Sequence, residues 1–211
     1  MLIETLSVAP IGTNCYILGC EATKEAIIID PGGEAERILK KLDSASLALK
    51  YIINTHAHFD HVGAVQAIKE AKDVPFLLHQ NDVPFIEPDA FSQSLRMFGM
   101  PPMAPPTVDQ PIDPETTYSF GNISFTVLET PGHSPGGVCF LFEQHVFVGD
   151  TLFAGSIGRT DLPGGDMNTL MHSIKTKLMT LDDSIAVHCG HMGETTIGRE
   201  RQFNPFNQYW K

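Results

Sequence analysis

Short apolar runs and amphipathic stretches alternate along the first 80 residues of the chain. The apolar runs are bounded by Gly, Pro or charged residues, which is typical of buried strands, and they cover residues 13–19, 26–29, 51–54 and 76–79. Two stretches with apolar residues three and four positions apart predict helices at residues 34–43 and 62–72. This alternation predicts an α/β fold with helices packed on a sheet.

The pattern breaks between residues 81 and 117. Eight prolines, at positions 84, 88, 101, 102, 105, 106, 111 and 114, predict that no long regular element forms there. A segment of this length inside a compact domain is usually a functional loop or a lid. Its larger apolar side chains could equally pin the segment to the core, and packing is the expectation for each of them: Phe85, Phe91, Leu95, Met97, Phe98 and Met100.

Regular patterning resumes after residue 122. Further strands are predicted at residues 123–128, 138–142, 145–148 and 185–188, and helices at residues 167–181 and 195–201. The second half therefore adds antiparallel hairpins to the alternating elements of the first half. Two sheets faced by helices, in a single domain spanning residues 1–211, account for this order of elements.

The composition is that of a soluble globular enzyme, with 42% apolar and 18% charged residues. A net charge of −11 argues against nucleic-acid binding, which needs a clustered basic face. The N-terminal residues do not resemble a signal peptide, and no apolar run is long enough to span a bilayer. We therefore expect a cytoplasmic protein without a membrane or nucleic-acid partner, whose oligomeric state the sequence leaves open.

Four cysteines, too sparse for a disulfide scaffold, are expected to be reduced and mostly buried; they are Cys15, Cys20, Cys139 and Cys189. A histidine in an isolated position is more often a surface residue than a metal ligand. We accordingly expect His79, His145 and His172 to be exposed.

Three histidines and an aspartate occur within six residues where the strand at 51–54 gives way to the helix at 62–72: His56, His58, Asp60 and His61. Ligands tend to bind at strand-to-helix junctions of open α/β sheets. Imidazole and carboxylate groups are the ligands that zinc and related ions favour. Chance would place these residue types at these offsets in roughly 0.1% of such chains. The segment therefore indicates a metal site.

One short cluster cannot complete two metal sites, so further ligands are expected at other strand ends. Three residues fit, because each follows a predicted strand and comes directly after a glycine that allows a sharp turn: His133, Asp150 and His191. Histidine and aspartate at these positions supply the same donor atoms as the first cluster.

In this order, the seven residues resemble the ligand set of the metallo-β-lactamase superfamily. The resemblance covers nearly the whole chain and implies a four-layer αββα sandwich. Asp30, in the segment IDPGG, is similar to the aspartate of the family's first motif, which is usually structural. Within the superfamily, the chain most resembles short glyoxalase II-like hydroxyacylglutathione hydrolases, through residues 149–161 (GDTLFAGSIGRTD), residues 195–201 (TTIGRER) with Asn204-Pro205-Phe206, and residues 98–102 (FGMPP).

The chain departs from the family pattern in two places. The family commonly has PGHGP around the last histidine, where this chain has CGHMG. Cys189 thus lies two residues from His191, and we weigh an inert thiol against one that approaches the metals. The helical C-terminal domain that holds glutathione in the long enzymes is not expected here, so no glutathione-binding residue can be carried over.

The resemblance implies one metal on His56, His58 and His133, a second on Asp60, His61 and His191, and Asp150 bridging both. Zinc is the expected metal, with iron and manganese as alternatives. A metal-bound water would attack a small-molecule thioester, with Asp60 taking part in catalysis. Arg159 and Arg199 are candidate substrate-binding residues.

Two other activities of the same fold remain open. One is an iron-dependent oxygenase that acts on glutathione persulfide with a single ion on His56, His133 and Asp150. The other is a lactonase or β-lactamase. The absence of a secretion signal counts against a periplasmic β-lactamase.

Overall fold

The computed structural model describes residues 1–210. The chain divides into two compact units. The first contains residues 1–112 and 119–123, and the second contains residues 113–118 and the chain from residue 124 onward.

The first unit is built on a six-stranded sheet in the order β1-β2-β3-β4-β5-β6. Strands β1 to β3 pair antiparallel, whereas β3 to β6 pair parallel. The strands are β1 (Leu2–Val8), β2 (Thr13–Gly19), β3 (Glu25–Ile29), β4 (Ala48–Ile53), β5 (Phe76–His79) and β6 (Gln110–Ile112). The helices are α1 (Ala35–Ser44), α2 (Phe59–Val62), α3 (Val65–Lys72) and α4 (Pro88–Met97).

The core of this unit forms where helices cover the parallel strands. Ile17 of β2, Ile28 of β3 and Ile52 of β4 are fully buried and belong to one hydrophobic cluster with Ile38 of α1 and Ile68 of α3. Burial of such side chains from water is the main favourable contribution to folding. The core therefore fixes the end of β3, which precedes Asp30, and the end of β4, from which the candidate ligand loop departs.

The second six-stranded sheet, most of which lies in the second unit, has the order β14-β13-β10-β9-β8-β7, and β10 and β13 pair parallel in it. Its strands are β7 (Tyr118–Phe120), β8 (Ile123–Glu129), β9 (Val138–Leu141), β10 (His145–Gly149), β13 (Ala186–Cys189) and β14 (Thr195–Thr196). A small hairpin consists of β11 (Leu152–Phe153) and β12 (Ser156–Ile157). The helices are α5 (Met167–Ser173), which continues as a π-helical turn over Ile174–Leu178, and α6 (Ile197–Phe203).

The predicted fold class is confirmed: the structure is mixed α/β, with two large sheets flanked by helices. The predicted strands in both halves coincide with observed strands to within a few residues. The edge strands β1, β6, β7 and β14 were not predicted, because edge strands are only partly buried and lack a continuous apolar pattern.

The prediction for residues 81–117 was wrong, because the segment contains a ten-residue helix, α4, and strand β6. Pro88 is the first residue of α4, where proline is favoured because the missing N–H has no partner inside the helix. Phe91 and Leu95 are buried in the core and Phe85 and Met100 are half-buried against it, as expected. The expectation was wrong for Met97 and Phe98, which are exposed.

The predicted helix at residues 62–72 is interrupted after Val62. A Cβ atom on Gly63 would lie 2.3 Å from the carbonyl oxygen of Gly32, and the backbone N–H of Ala64 donates to Pro31 O at 2.8 Å. This contact with the turn after β3 separates α2, which carries candidate ligands, from α3. The helix predicted at residues 167–181 likewise ends early, in the π-helical turn.

All four cysteines are buried and outside any disulfide, as expected. His172 is exposed, but the prediction for His79 was wrong, because its ring is buried and its Nδ1 accepts a hydrogen bond from Asn81 N at 3.3 Å. His145 is half-buried. Within residues 1–210, every helix is too short or too polar to cross a membrane.

Candidate metal centre

The first ligand cluster lies on the loop that follows β4 and on the single turn of α2. His56 and His61 are buried, and His58 is half-buried. The ring of His56 lies 4.7 Å from that of His58 and 4.0 Å from that of His61, measured between centroids. In α2, Asp60 Oδ2 is 3.4 Å from His61 Nε2. The first unit thus brings the four predicted residues of this cluster together.

Asp30, the last residue before the turn that follows β3, fixes this loop. Its backbone is left-handed, with φ of 52°, and its side chain is almost completely buried. Oδ1 accepts the backbone N–H of Thr55 at 2.7 Å, and Oδ2 accepts the Thr55 hydroxyl at 2.6 Å. Oδ2 is also 3.0 Å from His61 Nδ1, which donates to it. His61 therefore directs Nε2 away from Asp30.

Asp30 also orients His56, through Thr55. The Thr55 hydroxyl donates its only hydrogen to Asp30, so at 3.0 Å from His56 Nδ1 it accepts the proton of that nitrogen. His56 is thereby held as the tautomer whose Nε2 can bind a metal. The structural role expected for Asp30 consists of setting the tautomers of two histidines.

A second buried carboxylate, which sequence reasoning missed, supports the same loop. Asp82 lies in the 3₁₀ segment after β5, is completely buried, and accepts the backbone N–H of Ala57 at 2.9 Å. Ala57 stands between His56 and His58. The only signal in the sequence was an acidic residue three positions after a strand end, in a segment interpreted as a loop.

The second unit brings the other three predicted residues together. His133 Nε2 lies 3.7 Å from Asp150 Oδ2, and His191 Nε2 lies 3.6 Å from the same oxygen. His133 Nδ1 donates to the carbonyl oxygen of Arg159 at 2.8 Å, which leaves Nε2 as its donor atom toward a metal. Two imidazoles therefore converge on one carboxylate oxygen.

The hairpin after Asp150 is held by residues of the C-terminal segment. Glu200 of α6 is buried; it accepts the backbone N–H of Gly155 at 2.9 Å, the Thr195 hydroxyl at 2.6 Å and the Asn204 amide at 2.7 Å. A Cβ on Gly158 would lie 1.8 Å from Asp150 O, so the backbone packs tightly there. These contacts give the physical reason why TTIGRER and Asn204 accompany the Asp150 segment.

Cys189 is an inert thiol in this structure. It is completely buried in the hydrophobic cluster of the second unit, and burial raises its pKa to about 12. Among the described residues it belongs to none of the groups whose donor atoms lie close enough to share a metal ion. Of the two alternatives for this residue, the structure favours the inert one.

The two candidate substrate-binding arginines are both exposed. Arg159 forms a two-pronged contact with Asp161, from Nε at 2.7 Å and from Nη2 at 2.8 Å. This contact holds the pKa of Asp161 at about 2. Arg199 lies in the first turn of α6, with Nε 3.8 Å from Glu200.

The donor atoms fit a transition-metal ion. Two atoms bound at about 2.1 Å with tetrahedral angles lie roughly 3.4 Å apart. The distances from His61 to Asp60 and from Asp150 to His133 and His191 are 3.4, 3.7 and 3.6 Å. The distances of 3.6 and 3.7 Å are too long for hydrogen bonds. All three distances suit two atoms that bind the same metal ion. Nitrogen and carboxylate donors accept zinc, iron and manganese alike, so the donor set does not fix the metal.

Comparison with known proteins identifies the family of the chain. The sequence profile of the metallo-beta-lactamase superfamily matches residues 8–191. The chain is 39% identical over 209 residues to hydroxyacylglutathione hydrolase GloC of Haemophilus influenzae, covering 98% of each chain.

Two solved structures are each 40% identical to the chain. The B3 metallo-beta-lactamase BLEG-1 has a TM-score of 0.91, with 97% of this chain and 99% of that chain covered. TTHA1623, crystallised in a di-iron-bound form, has a TM-score of 0.86, with 96% and 99% covered. With its fold, its donor atoms and these similarities, the chain belongs to the metallo-β-lactamase superfamily and is a metal-dependent hydrolase.

Proposed function

We propose that the protein is a thioesterase of the hydroxyacylglutathione hydrolase, or glyoxalase II, type. The observation that carries this proposal is the 39% identity to hydroxyacylglutathione hydrolase GloC over almost the full length of both chains. The convergence of His133 and His191 on one oxygen of Asp150 supports it, because a bridging carboxylate is what a two-metal hydrolase needs.

We propose two metal ions, with zinc as the expected metal. His56, His58 and His133 would hold one ion and Asp60, His61 and His191 the other, with Asp150 bridging. The di-iron form of TTHA1623 supports a two-ion centre in a relative of this similarity. When bound, the ions supply a water that ionises near neutral pH and stabilise the oxyanion of the attacked thioester.

The protein's own residues would prepare this centre before the substrate arrives. Asp30 keeps His61 and, through Thr55, His56 in the tautomers that direct Nε2 outward. Arg159 does the same for His133 through its backbone carbonyl. Because a thiolate is a good leaving group, the reaction needs no separate general acid.

Substrate recognition is assigned in this proposal to residues 81–117, with Arg159 and Arg199 as further candidates. Phe98, directly after α4, packs its ring 5.1 Å from that of Phe59, which stands between His58 and Asp60 in the sequence. Met97 and Phe98 are both exposed. Arg159 is bound to Asp161 and would have to exchange that partner for a substrate carboxylate. We therefore expect slow to moderate hydrolysis of S-lactoylglutathione and tolerance of other small thioesters.

Hydrolysis of a β-lactam is the second candidate, because BLEG-1, a B3 metallo-beta-lactamase, matches the chain with a TM-score of 0.91. The chemistry that bound ions would supply, activation of a water toward a carbonyl carbon, would suit a lactam or a lactone as well as a thioester. An amine leaving group would require a proton that a thiolate does not need. For this reason we rank the thioester first.

The test measures three reactions on zinc-loaded and iron-loaded protein: cleavage of S-lactoylglutathione, cleavage of a β-lactam, and oxygen uptake with glutathione persulfide. Thioester cleavage that exceeds β-lactam cleavage supports the proposal. Oxygen uptake by the iron form, with no thioester cleavage by either form, would overturn it and favour the oxygenase.

We further propose a cytoplasmic location and no nucleic-acid or membrane partner, as the charge and the apolar pattern predict.

A further inference from the structure

Thr13 is a buried hydroxyl residue at the start of β2, opposite Val8 of β1 in the sheet. Its Oγ1 lies 2.8 Å from Oδ2 of Asp60, on α2. A carboxylate oxygen carries no hydrogen, so the threonine donates this bond. The contact joins the antiparallel part of the first sheet to a candidate metal ligand 47 residues later in the chain.

The oxygen that Thr13 holds is the one that faces the other ligand of α2. Asp60 Oδ2 is 3.4 Å from His61 Nε2, the separation of two atoms that bind one ion. Helix α2 has only four residues, too few to fix a side chain by its own hydrogen bonds. The orientation of the carboxylate therefore depends on contacts from outside the helix.

We propose that Thr13 is a positioning residue for Asp60 and sets the affinity for the metal ion that Asp60 and His61 bind. This inference rests on the proposed two-metal centre. A hydroxyl that donates to a ligand oxygen holds the carboxylate in its binding orientation. Serine would preserve the bond, whereas alanine and valine would leave the buried oxygen without this donor.

The decisive comparison is Thr13→Ala against Thr13→Ser, because both variants lose the γ-methyl group and only serine keeps the hydroxyl. Thr13→Val adds a variant of similar shape without a donor. Thr130→Val is the matched control: Thr130 is also completely buried, and its hydroxyl contacts Cys139 and Thr151. Each protein is stripped of metal and titrated with Zn²⁺ against a chromogenic chelator, and its Co²⁺ form is examined by visible absorption.

We expect Thr13→Ala and Thr13→Val to bind one ion as tightly as wild type does and the other ion about 10- to 100-fold less tightly. Thr13→Ser should retain both wild-type affinities and the wild-type Co²⁺ spectrum. Thr130→Val should lower the melting temperature of the metal-free protein but leave both affinities unchanged.

Equal two-ion affinities in wild type and in both hydroxyl-free variants would overturn the inference. So would a Thr13→Ser variant as weak as Thr13→Ala, since that result would assign the effect to packing of the methyl group. If the wild-type protein never binds a second ion, the two-metal proposal fails, and the inference about Thr13 fails with it. The titration of the wild-type protein alone reveals that outcome.

Discussion

A few buried side chains prepare the donor atoms of the site. Asp30 accepts three hydrogen bonds and fixes two imidazoles, so a single carboxylate determines which nitrogens can reach a metal. Asp150 is different, because His133 and His191, the two candidate ligand histidines of its unit, approach one of its oxygens. Asp150 is therefore the residue whose loss should affect the site most.

Asp150→Ala should bind metal at least about 100-fold more weakly than wild type. The substitution removes the carboxylate that both candidate ligand histidines approach, and this loss should exceed the loss caused by removing a residue that only supports a ligand. The measurement is metal content after dialysis together with chelator titration. His172→Ala is the control, because His172 is exposed on α5. Comparable metal loss in both variants would contradict the ligand assignment. His79 is unsuitable as a control, because its buried ring accepts a hydrogen bond.

Among the elements, α2 depends on its contact with the turn after β3. A Cβ on Gly32 would lie 1.5 Å from the backbone oxygen of Asp60, and one on Gly63 would lie 2.3 Å from Gly32 O. Both neighbours are backbone atoms, which cannot move aside as a flexible side chain can. The two glycines therefore set how closely the ligand helix approaches the sheet.

Gly32→Ala should destabilise the protein by about 3 kcal/mol or more, at the upper end of the range typical of an overpacked core, and should reduce metal content. Urea denaturation and metal analysis measure the two effects. Gly193→Ala is the control, because nothing lies within 4 Å of the added Cβ. A Gly32→Ala protein with wild-type stability would show that the backbone of the turn can move to accommodate the added methyl group.

The paired strands β10 and β13 carry a hydrogen-bonded chain outside the ligand set. His188 Nδ1 donates to Glu194 Oε1 at 2.9 Å, so Nε2 accepts from His145 Nδ1 at 3.0 Å. The His188 ring also stacks on Phe147, with centroids 4.4 Å apart. Burial lowers the pKa of His145 and of His188, although Glu194 opposes the shift.

A histidine whose pKa is lowered in the folded state takes up protons more readily when unfolded. The contribution of such a histidine to folding stability is therefore fully present above the unfolded pKa of about 6.5 and is lost as the pH falls below it. We expect His145→Gln to lose less stability than wild type between pH 8 and pH 5.5. Urea midpoints of the metal-free proteins across this range provide the measurement. Equal losses of stability in wild type and His145→Gln over this pH range would show that burial of His145 does not weaken the fold at low pH.

At the scale of the whole molecule, each unit has its own hydrophobic core. Fully buried residues such as Ile28 and Phe76 belong to the first cluster, and Val148 and Leu170 to the second. Apolar burial of this extent stabilises a fold without help from a metal.

Metal removal should therefore abolish hydrolysis and leave most of the secondary structure. Far-UV circular dichroism before and after chelation, with an activity assay on the same samples, makes the comparison. Complete unfolding on chelation would mean that the ions, rather than the two cores, hold the chain together.

The sequence by itself determined the buried strands, the fold class and the residues offered as ligands. Apolar periodicity reports burial directly, and three histidines with an aspartate in six residues rarely occur together unless they bind a metal. The prediction from the sequence failed at α4, because proline was interpreted as a helix breaker. Pro88 instead occupies the first position of the helix, where proline is favoured.

Only the tertiary structure decided which nitrogen His56, His61 and His133 present and which polar residues support the candidate ligands. Thr13, Asp30 and Asp82 lie on separate elements, and their hydrogen bonds to the ligand segment join residues 25 to 47 positions apart. Such contacts leave no local pattern, because they depend on how strands are ordered in the sheet. The candidate ligands could thus be proposed from residue type and spacing, whereas their orientation required the folded chain.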